Sequence, residues 1–332
     1  MIKFISKIIY FAIFPLILFT LVNIVIDYKL NEQSIEMGIE SKISNLKIDK
    51  NKINIIVAGD SRGERQLIPK IIESNTGYNS INIAVNAGDL VSTVFAIKKH
   101  YSGSNLIFII SASSWQINDG AISPGYLSAK CFQKLTTIEK LNFYKSNVWE
   151  FVNLYKKLIK QTILSFFSSD ASFFNYDSKI ISELGYQATS GVIAAFNSDK
   201  EVNNYLSIHP WYMNISNNGA RWRIFQEAIR ELSRIDSYFI LLQPPVSPYW
   251  KKITKNTYID IAEEEYSKKL NNLVLEYNNI DFYDFYSKDI NELNDSMYYD
   301  YQHLNSKGAM MFSDQIMKFI DINKKAGERR KM

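Results

Sequence analysis

The chain has 332 residues, 46% of them hydrophobic, with 38 basic and 34 acidic side chains and a formal net charge of +4. This composition excludes a disordered or collagen-like chain, and the near-balanced charge argues against nucleic-acid binding. A single cysteine, Cys131, excludes an intrachain disulfide and a cysteine-cluster zinc site. With only three histidines in the chain, we do not expect a His-rich metal site. We predict no bound metal and no cofactor.

The first predicted element is a membrane anchor. Residues 8–26 contain no charged side chain, and this length is near the ~20 residues that a helix needs to cross a hydrocarbon core. Lys3 and Lys7 precede the stretch and Asp27 follows it, so the positive-inside rule places the N-terminus in the cytoplasm. A cleaved signal peptide is the alternative, but the apolar run is long for one and no small-residue cleavage site follows. We therefore predict a single-pass membrane protein, anchored by residues 1–27, with an extracytoplasmic main domain.

The polar segment 28–50 has weak helical periodicity and is predicted to be a stalk that leads to a domain at 51–323. From about residue 52 to residue 114, short apolar runs alternate with helical segments, which is typical of βαβ units and a parallel sheet. The strands are predicted at KINIIVAGDS, SINIAVNAG and SNLIFIISASS, and the helices between them at RGERQLIPKIIES and DLVSTVFAIKKH.

The alternation stops from Trp115 to about Asn217, where the chain is rich in aromatic residues. About 100 residues is long for a connection, so we interpret 115–217 as an insert. Two further strands follow, at SYFILLQPP and IDFYDF, among three helices at ARWRIFQEAIRELSRI, YIDIAEEEYSKKLNNLVLEYN and SKGAMMFSDQIMKFID. The sum is an α/β fold: a flavodoxin-like, doubly wound parallel sheet of about five strands with a large insert, preceded by one transmembrane helix. Residues 324–332 form a basic tail.

Polar residues follow the ends of the predicted strands, where open α/β sheets bind their ligands. Gly59–Ser61 follow the first strand, Gly88 follows the second and Ser113 the third. Asp300 and His303 come just before the final helix, in a loop that should reach the same edge of the sheet. The sequence therefore predicts that these residues share one site.

The residue types at this edge match the roles of a catalytic triad. A serine hydroxyl is a poor nucleophile and needs an adjacent base, which His303 can supply to Ser61. Asp300, three residues before His303, can hydrogen-bond its imidazole and set the tautomer. The backbone N–H groups of Ser61 and Gly88 are candidate oxyanion donors. The plain structural alternative is a strand-to-helix turn with Asp60 as its cap, beside an unrelated surface pair of Asp and His.

These residues are where the sequence resembles the SGNH (GDSL) hydrolase superfamily. The first block of that family, Gly-Asp-Ser after strand one, matches Gly59–Ser61, and its second, a glycine after strand two, matches Gly88. The last block, Asp-x-x-His before the final helix, matches Asp300 and His303. The resemblance covers residues of about 52–115 and 220–322 and leaves out the insert.

The third block departs from the family pattern. Its Gly-x-Asn-Asp falls near residues 111–114, where there is no asparagine, and Asn118–Asp119 comes later in the chain. The asparagine that would supply a third oxyanion donor is therefore missing or displaced. The hydroxyl of Ser113 or Ser114 is a candidate substitute.

The layout resembles membrane-anchored SGNH-like proteins of polysaccharide O-acetylation and teichoic-acid D-alanylation, in which that asparagine is also lost. The resemblance implies acyl transfer through an acyl-Ser61 intermediate to a cell-envelope or secreted polysaccharide. The implied partner is a polytopic membrane O-acyltransferase that supplies the acyl group. A membrane-anchored carbohydrate esterase or deacetylase, and a non-catalytic envelope assembly protein, are the open alternatives.

Other polar and aromatic residues have plainer explanations. His100 ends a helix, where a cation suits the helix dipole, and His209 is interpreted as a packing residue. Arg62 or Arg65 could bind an anionic group on the acceptor. Trp115 and Trp211, near the two ends of the insert, could stack on sugar rings.

Overall fold

The computed structural model of the chain describes residues 35–46, 49–102, 105–119, 128–146, 184–192, 199–207, 219–288, 290 and 292–320. The strands are β1 (Ile55–Gly59), β2 (Ser80–Asn82), β3 (Ile107–Ser111), β4 (Tyr238–Gln243) and β5 (Ile280–Asp284). The helices are α1 (Ile35–Asn45), α2 (Ser61–Gln66), α3 (Pro69–Thr76), α4 (Leu90–His100), α5 (Ala129–Gln133), α6 (Thr137–Ser146), α7 (Asp199–Ser207), α8 (Ala220–Leu232), α9 (Pro248–Thr254), α10 (Tyr258–Val274) and α11 (Ser306–Phe319). Short 3-10 helices lie at Lys50–Lys52, Ser114–Ile117 and Asp295–Met297.

The five strands form one parallel sheet in the order β2-β1-β3-β4-β5. This is the order of a flavodoxin-like, doubly wound sheet, so the predicted α/β fold class is confirmed for the described residues. The chain runs from β1 outward to β2 and then returns to β3 on the other side of β1. The carboxyl ends of β1 and β3 therefore flank the point where the winding reverses, which is where such sheets bind ligands.

Both faces of the sheet are covered, because successive side chains along a strand point to opposite faces. One face packs against α1, α4, α8 and α10, and the strands contribute to it Ile56, Ala58, Phe108, Ile110, Phe239 and Leu241. The other face packs against α3 and α11, and the strands contribute to it Ile55, Val57, Ile107, Ile109, Ile240 and Leu242. Burial on both faces explains why these strands are continuous apolar runs without polar alternation.

Two predicted elements differ from the structure for local reasons. The helix predicted from Arg62 onward is two helices, α2 and α3, with Leu67 and Ile68 extended between them. The residue before a proline is disfavoured in helical conformation, so Pro69 ends one helix and starts the next. The second strand is also shorter than predicted, because β2 ends at Asn82 and residues 83–88 form the approach to a turn.

The segment predicted to be a stalk contributes a helix of the domain itself. Helix α1 packs against α4, and its Ile39 and Ile43 are buried in the core on that face of the sheet. Lys42, between them in the sequence, is also buried. Residues from Ile35 onward therefore pack into the fold, N-terminal to the predicted boundary at residue 51. The helical periodicity of α1 is too weak to have predicted this packing from the sequence.

Several sequence predictions lie outside the described residues. They include the anchor at 1–27, the tail at 324–332 and most of the insert, with His209 and Trp211. Among the residues that the structure does describe, no helix combines the length and the apolar character needed to cross a membrane.

One described part of the insert, segment 184–192, packs against the domain near the predicted site. The backbone of Thr189 accepts a hydrogen bond from the N–H of Ser306 at 2.9 Å, and the Asn305 amide donates to the carbonyl of Gly191 at 3.0 Å. On the other side, the N–H of Gln187 donates to the carbonyl of Glu64 at 3.3 Å. Segment 184–192 therefore joins α2 to the start of α11.

Candidate active site

The turn between β1 and α2 places Ser61 at the carboxyl edge of the sheet. Gly59 has a φ of +106°, and a Cβ atom there would lie 2.2 Å from the carbonyl oxygen of Ser111 in β3. Only glycine tolerates this combination of backbone conformation and close approach. Asp60 is the N-cap of α2, with its side chain accepting from the N–H of Arg62. Ser61 is the first helical residue and is half-buried.

The structure brings Ser61, His303 and Asp300 together. Oγ of Ser61 lies 2.8 Å from Nε2 of His303, although the two residues are 242 positions apart. Nδ1 of His303 lies 2.9 Å from Oδ1 and 2.8 Å from Oδ2 of Asp300. Because an ionised carboxylate only accepts hydrogen bonds, Nδ1 carries a proton in this pair, and Nε2 is the atom that accepts from Ser61. This is the arrangement of a nucleophile, a base and a group that orients the base.

Asp300 is held in its ionised form by the loop that carries it. Burial opposes ionisation, but hydrogen bonds from His303 and the backbone N–H of Gln302 keep the pKa of the Asp300 carboxyl below its ordinary value. The backbone carbonyl of Gln302 accepts from the side chain of Gln66 in α2 at 2.7 Å. The loop that carries His303 is thus tied directly to α2, the helix that begins at Ser61.

The two predicted oxyanion donors besides the Ser61 N–H make other hydrogen bonds in the structure. The N–H of Gly88 donates to the carbonyl of Val85 at 2.9 Å, within the turn after β2. The hydroxyl of Ser113 donates to the carboxylate of Asp60. An oxyanion role for Gly88 or Ser113 requires that bond to be exchanged when substrate binds, and it stays a prediction. The N–H of Ser61 has no acceptor within its helix, because it belongs to the first turn.

Gly88 is also a point of close approach. A Cβ atom on this residue would lie 2.1 Å from the carbonyl oxygen of Gly59. The turn after β2 can therefore pack against the end of β1 only with glycine at this position. This explains the glycine without assigning it a role in catalysis.

Asp60 is the centre of a buried hydrogen-bond cluster that sequence reasoning did not find. Besides capping α2, its carboxylate accepts from the hydroxyl of Ser111 at 2.6 Å, from the hydroxyl of Ser113, and from the indole N–H of Trp115 at 3.1 Å. Asp60 is 1% exposed. The cluster joins the end of β3 to the residue before Ser61, at the place where the family that the sequence resembles has its third block.

Asn118 and Asp119, the Asn-Asp pair that follows the predicted position of the third block, have structural contacts in the described part of the chain. Oδ1 of Asp119 accepts from the N–H of Arg221 at the start of α8, at 2.9 Å. Asn118 is buried next to it. Trp115, which the sequence offers as a surface for sugars, directs its indole N–H to Asp60.

A second buried polar cluster lies beneath the carboxyl edge of the sheet. Glu263 in α10 is 1% exposed, and its Oε2 accepts from the side-chain amide of Gln243, the last residue of β4, at 2.5 Å. Burial raises the pKa of Glu263 to about 7, although the charge of Arg62 acts in the opposite direction. Arg62 follows Ser61 in α2 and is 2% exposed, so it faces the interior and is poorly placed to bind an acceptor that arrives from solvent.

We expect Glu263 to make stability depend on pH near neutrality. The native state holds its proton up to about pH 7, whereas an ordinary glutamate loses it near 4.5. The native state therefore binds more protons in this interval, and the free energy of unfolding falls as pH rises. Glu263→Gln removes this pH dependence, which for one carboxyl group is at most about 1.4 kcal/mol of unfolding free energy per pH unit. Urea unfolding of both proteins at several pH values measures it.

The control for this prediction is Glu264→Gln, which changes the neighbouring, exposed carboxylate of α10. We expect the stability of this variant to follow that of the wild type with pH. A stability difference between Glu263→Gln and wild type that stays constant from pH 4.5 to 8 would contradict the assignment.

The remaining candidates contribute no second centre in the described ranges. Nε2 of His100 lies 2.8 Å from Oε1 of Glu40 in α1, so this histidine joins two helices on the surface. Among the described residues, no group of three or more His, Cys, Asp or Glu side chains is arranged to hold a metal ion.

Comparison with protein-family models and with curated proteins finds no match to the chain. Among solved structures, the chain is similar to a Streptococcus pneumonia protein assigned as a platelet activating factor, with 11% identity and a TM-score of 0.43 over 90% of this chain and 98% of that one. It is also similar to a Bacteroides fragilis protein assigned as an acylhydrolase, with 13% identity and a TM-score of 0.37 over 88% of this chain and 97% of that one. At this level of similarity, the interpretation of the site rests on the residues and geometry of the chain itself.

Proposed function

We propose that the protein is a serine esterase or O-acyltransferase that forms an acyl intermediate on Ser61. The observation that carries this proposal is the continuous hydrogen-bonded series from Ser61 through His303 to Asp300. Oγ of Ser61 lies 2.8 Å from Nε2 of His303, 242 residues later in the chain. Both atoms are at the carboxyl edge of the sheet, where open α/β sheets bind ligands. A structural cap needs only Asp60 and leaves the meeting of Ser61 with His303 unexplained.

The proposed reaction has two half-reactions. Nε2 of His303 takes the proton as Oγ of Ser61 attacks the acyl carbonyl, and the N–H of Ser61 donates to the oxyanion. The C–O bond to the leaving alcohol then breaks, and that alcohol takes the proton from His303. An acceptor hydroxyl, or water, then repeats these steps and releases the acyl group from Ser61. Asp300 keeps the imidazole oriented throughout.

The finer proposal is acetyl transfer to a cell-envelope or secreted polysaccharide outside the membrane. It is supported by the apolar segment at 8–26, the charge order around it, and the resemblance in layout to anchored proteins of polysaccharide acetylation. The same resemblance suggests that a polytopic membrane O-acyltransferase supplies the acyl group. The triad itself serves transfer and hydrolysis equally, because the two reactions differ only in the acceptor.

One set of assays tests both the acyl-Ser61 intermediate and the transfer to a polysaccharide. The detergent-purified full chain is treated with a fluorophosphonate probe, and we expect the probe on the tryptic peptide that contains Ser61. A separate, unlabelled sample of the chain is given an aryl acetate, with and without added envelope polysaccharide. Acetyl groups on the polysaccharide support transfer, whereas acetate release alone supports an esterase.

A folded chain that neither reacts with the probe nor releases acetate would overturn the catalytic proposal. That result would favour a non-catalytic assembly protein. One observation already points in this direction, since Gly88 and Ser113 donate to groups of the protein itself.

A further inference from the structure

A buried lysine connects the N-terminal helix to two parts of the proposed site. Lys42 of α1 is 4% exposed, and its Nζ lies 3.0 Å from Oε1 of Glu64 and 2.5 Å from the carbonyl oxygen of Ala84. Glu64 is on the nucleophile helix α2, about one turn after Ser61. Lysine and glutamate are almost never fully buried unless they are paired, so this contact is specific.

Ala84 lies in a segment that is hydrogen-bonded to β1 and leads to the turn at Gly88. The residues on either side of it are attached to β1, because the N–H of Ile83 donates to Val57 and the N–H of Val85 donates to Gly59. Val85 in turn begins the turn that ends at Gly88. Lys42 therefore joins the helix that starts at Ser61 to the segment that leads into the second predicted oxyanion donor.

The contact between Lys42 and Glu64 buries two charged groups away from water, which costs desolvation free energy. Burial lowers the pKa of Lys42, in spite of the favourable charge of Glu64. A desolvated ammonium group is retained only where its partners are well placed, and its loss leaves the partner carboxylate buried without compensation. Glu64 is 0% exposed, and its Oε2 makes no hydrogen bond in the described structure.

We propose that Lys42 is a positioning residue for the proposed reaction, and that α1 thereby helps to set the geometry of the active site. The inference rests on the proposed function. Lys42 touches no reacting atom, and it acts by holding α2 and the 83–88 segment at a fixed separation. Oxyanion stabilisation depends on such preset geometry, because misplacement of about 1 Å can cost about 100-fold in rate.

The test separates positioning from simple stabilisation with a pair of variants. Lys42→Met leaves Glu64 as an unpaired buried charge and should lower the melting temperature. Lys42→Met combined with Glu64→Met removes both charges, and replacement of a buried ion pair by apolar side chains is often neutral for stability. We expect the double variant to recover its melting temperature but to react with the fluorophosphonate roughly 10- to 100-fold more slowly than wild type.

The control is Lys99→Met, which removes a surface contact of α1 with α4 and leaves the buried contact of α1 with α2 in place. Nζ of Lys99 in α4 lies 2.9 Å from Oε1 of Glu40 in α1, and the Lys99 side chain is 51% exposed. This variant should react with the probe at the wild-type rate. It shows whether any lost contact between α1 and α4 slows the reaction.

Hydrogen exchange supplies a readout that does not depend on activity. In the double variant we expect faster exchange in peptides covering 61–67 and 83–89, with no change in α10. Wild-type exchange in these peptides, or wild-type reactivity of the double variant, would overturn the role of Lys42. Failure of the wild-type chain to react at all would instead overturn the proposed function and, with it, the claim that Lys42 positions a nucleophile.

Discussion

Ser61→Ala should lower aryl-acetate hydrolysis by about 10³- to 10⁶-fold and abolish labelling by a fluorophosphonate. Removal of the nucleophile ends covalent catalysis and leaves only binding and electrostatic effects, which is why the loss is large. Stability should change little, since the Ser61 side chain is half-buried and its oxygen bonds to the half-buried His303. The measurements are the rate of acetate release, the mass of the intact labelled protein and the melting temperature.

Ser74→Ala is the matched control for this prediction. Ser74 lies in the neighbouring helix α3, is exposed, and donates its hydroxyl to the carbonyl of Ile71 at 2.9 Å. This variant should keep both the hydrolysis rate and the labelling of wild type. Hydrolysis that persists undiminished in a folded Ser61→Ala variant would show that the hydrogen-bonded triad is not the catalytic centre.

Asp60→Ala should have the largest effect on stability, a loss of about 3–5 kcal/mol in the free energy of unfolding. The substitution removes the cap of α2 and takes the acceptor away from the buried hydroxyls of Ser111 and Ser113 and from the indole N–H of the half-buried Trp115. An unsatisfied buried donor costs its full desolvation penalty, so the effect exceeds that of a lost cap. Urea or thermal unfolding measures the change.

Thr257→Ala separates the loss of a cap from the loss of the cluster. Thr257 caps α10 by accepting from the N–H of Ile259, and it lies outside the Asp60 cluster. We expect this variant to cost about 0.5–2 kcal/mol, the usual range for a lost N-cap. If Asp60→Ala costs no more than Thr257→Ala, the hydrogen bonds from β3 contribute nothing beyond capping.

The Asp60 cluster also explains how the site differs from the family that the sequence resembles. Where that family has an asparagine after its third strand, this chain has hydroxyl groups, and two of them face Asp60. The end of β3 therefore fixes Asp60, the residue before Ser61. In the proposed reaction, oxyanion stabilisation therefore depends more heavily on the Ser61 N–H and on the geometry that Lys42 and Asp60 maintain.

The sequence by itself determined the sheet and the candidate triad. Continuous apolar runs bounded by turn residues are a local signal, and the strands of the parallel sheet fall within the runs predicted for them. Ser61, Asp300 and His303 could be named because open α/β sheets bring strand ends and the last loop to one edge. The proline at position 69, read with its effect on the preceding residue, would also have predicted the break between α2 and α3.

Only the tertiary structure decided which polar groups meet inside the protein. Lys42 lies in a segment that reads as a solvated stalk, and its burial depends on a glutamate and a carbonyl group contributed by other elements. Asp60 reads as a helix cap, and its three further donors come from β3 and the residues after it. Hydrogen-bond partners that are distant in the sequence leave no periodic pattern in either segment. Their pairing follows from packing, because a buried polar group must find its partner wherever the fold places one.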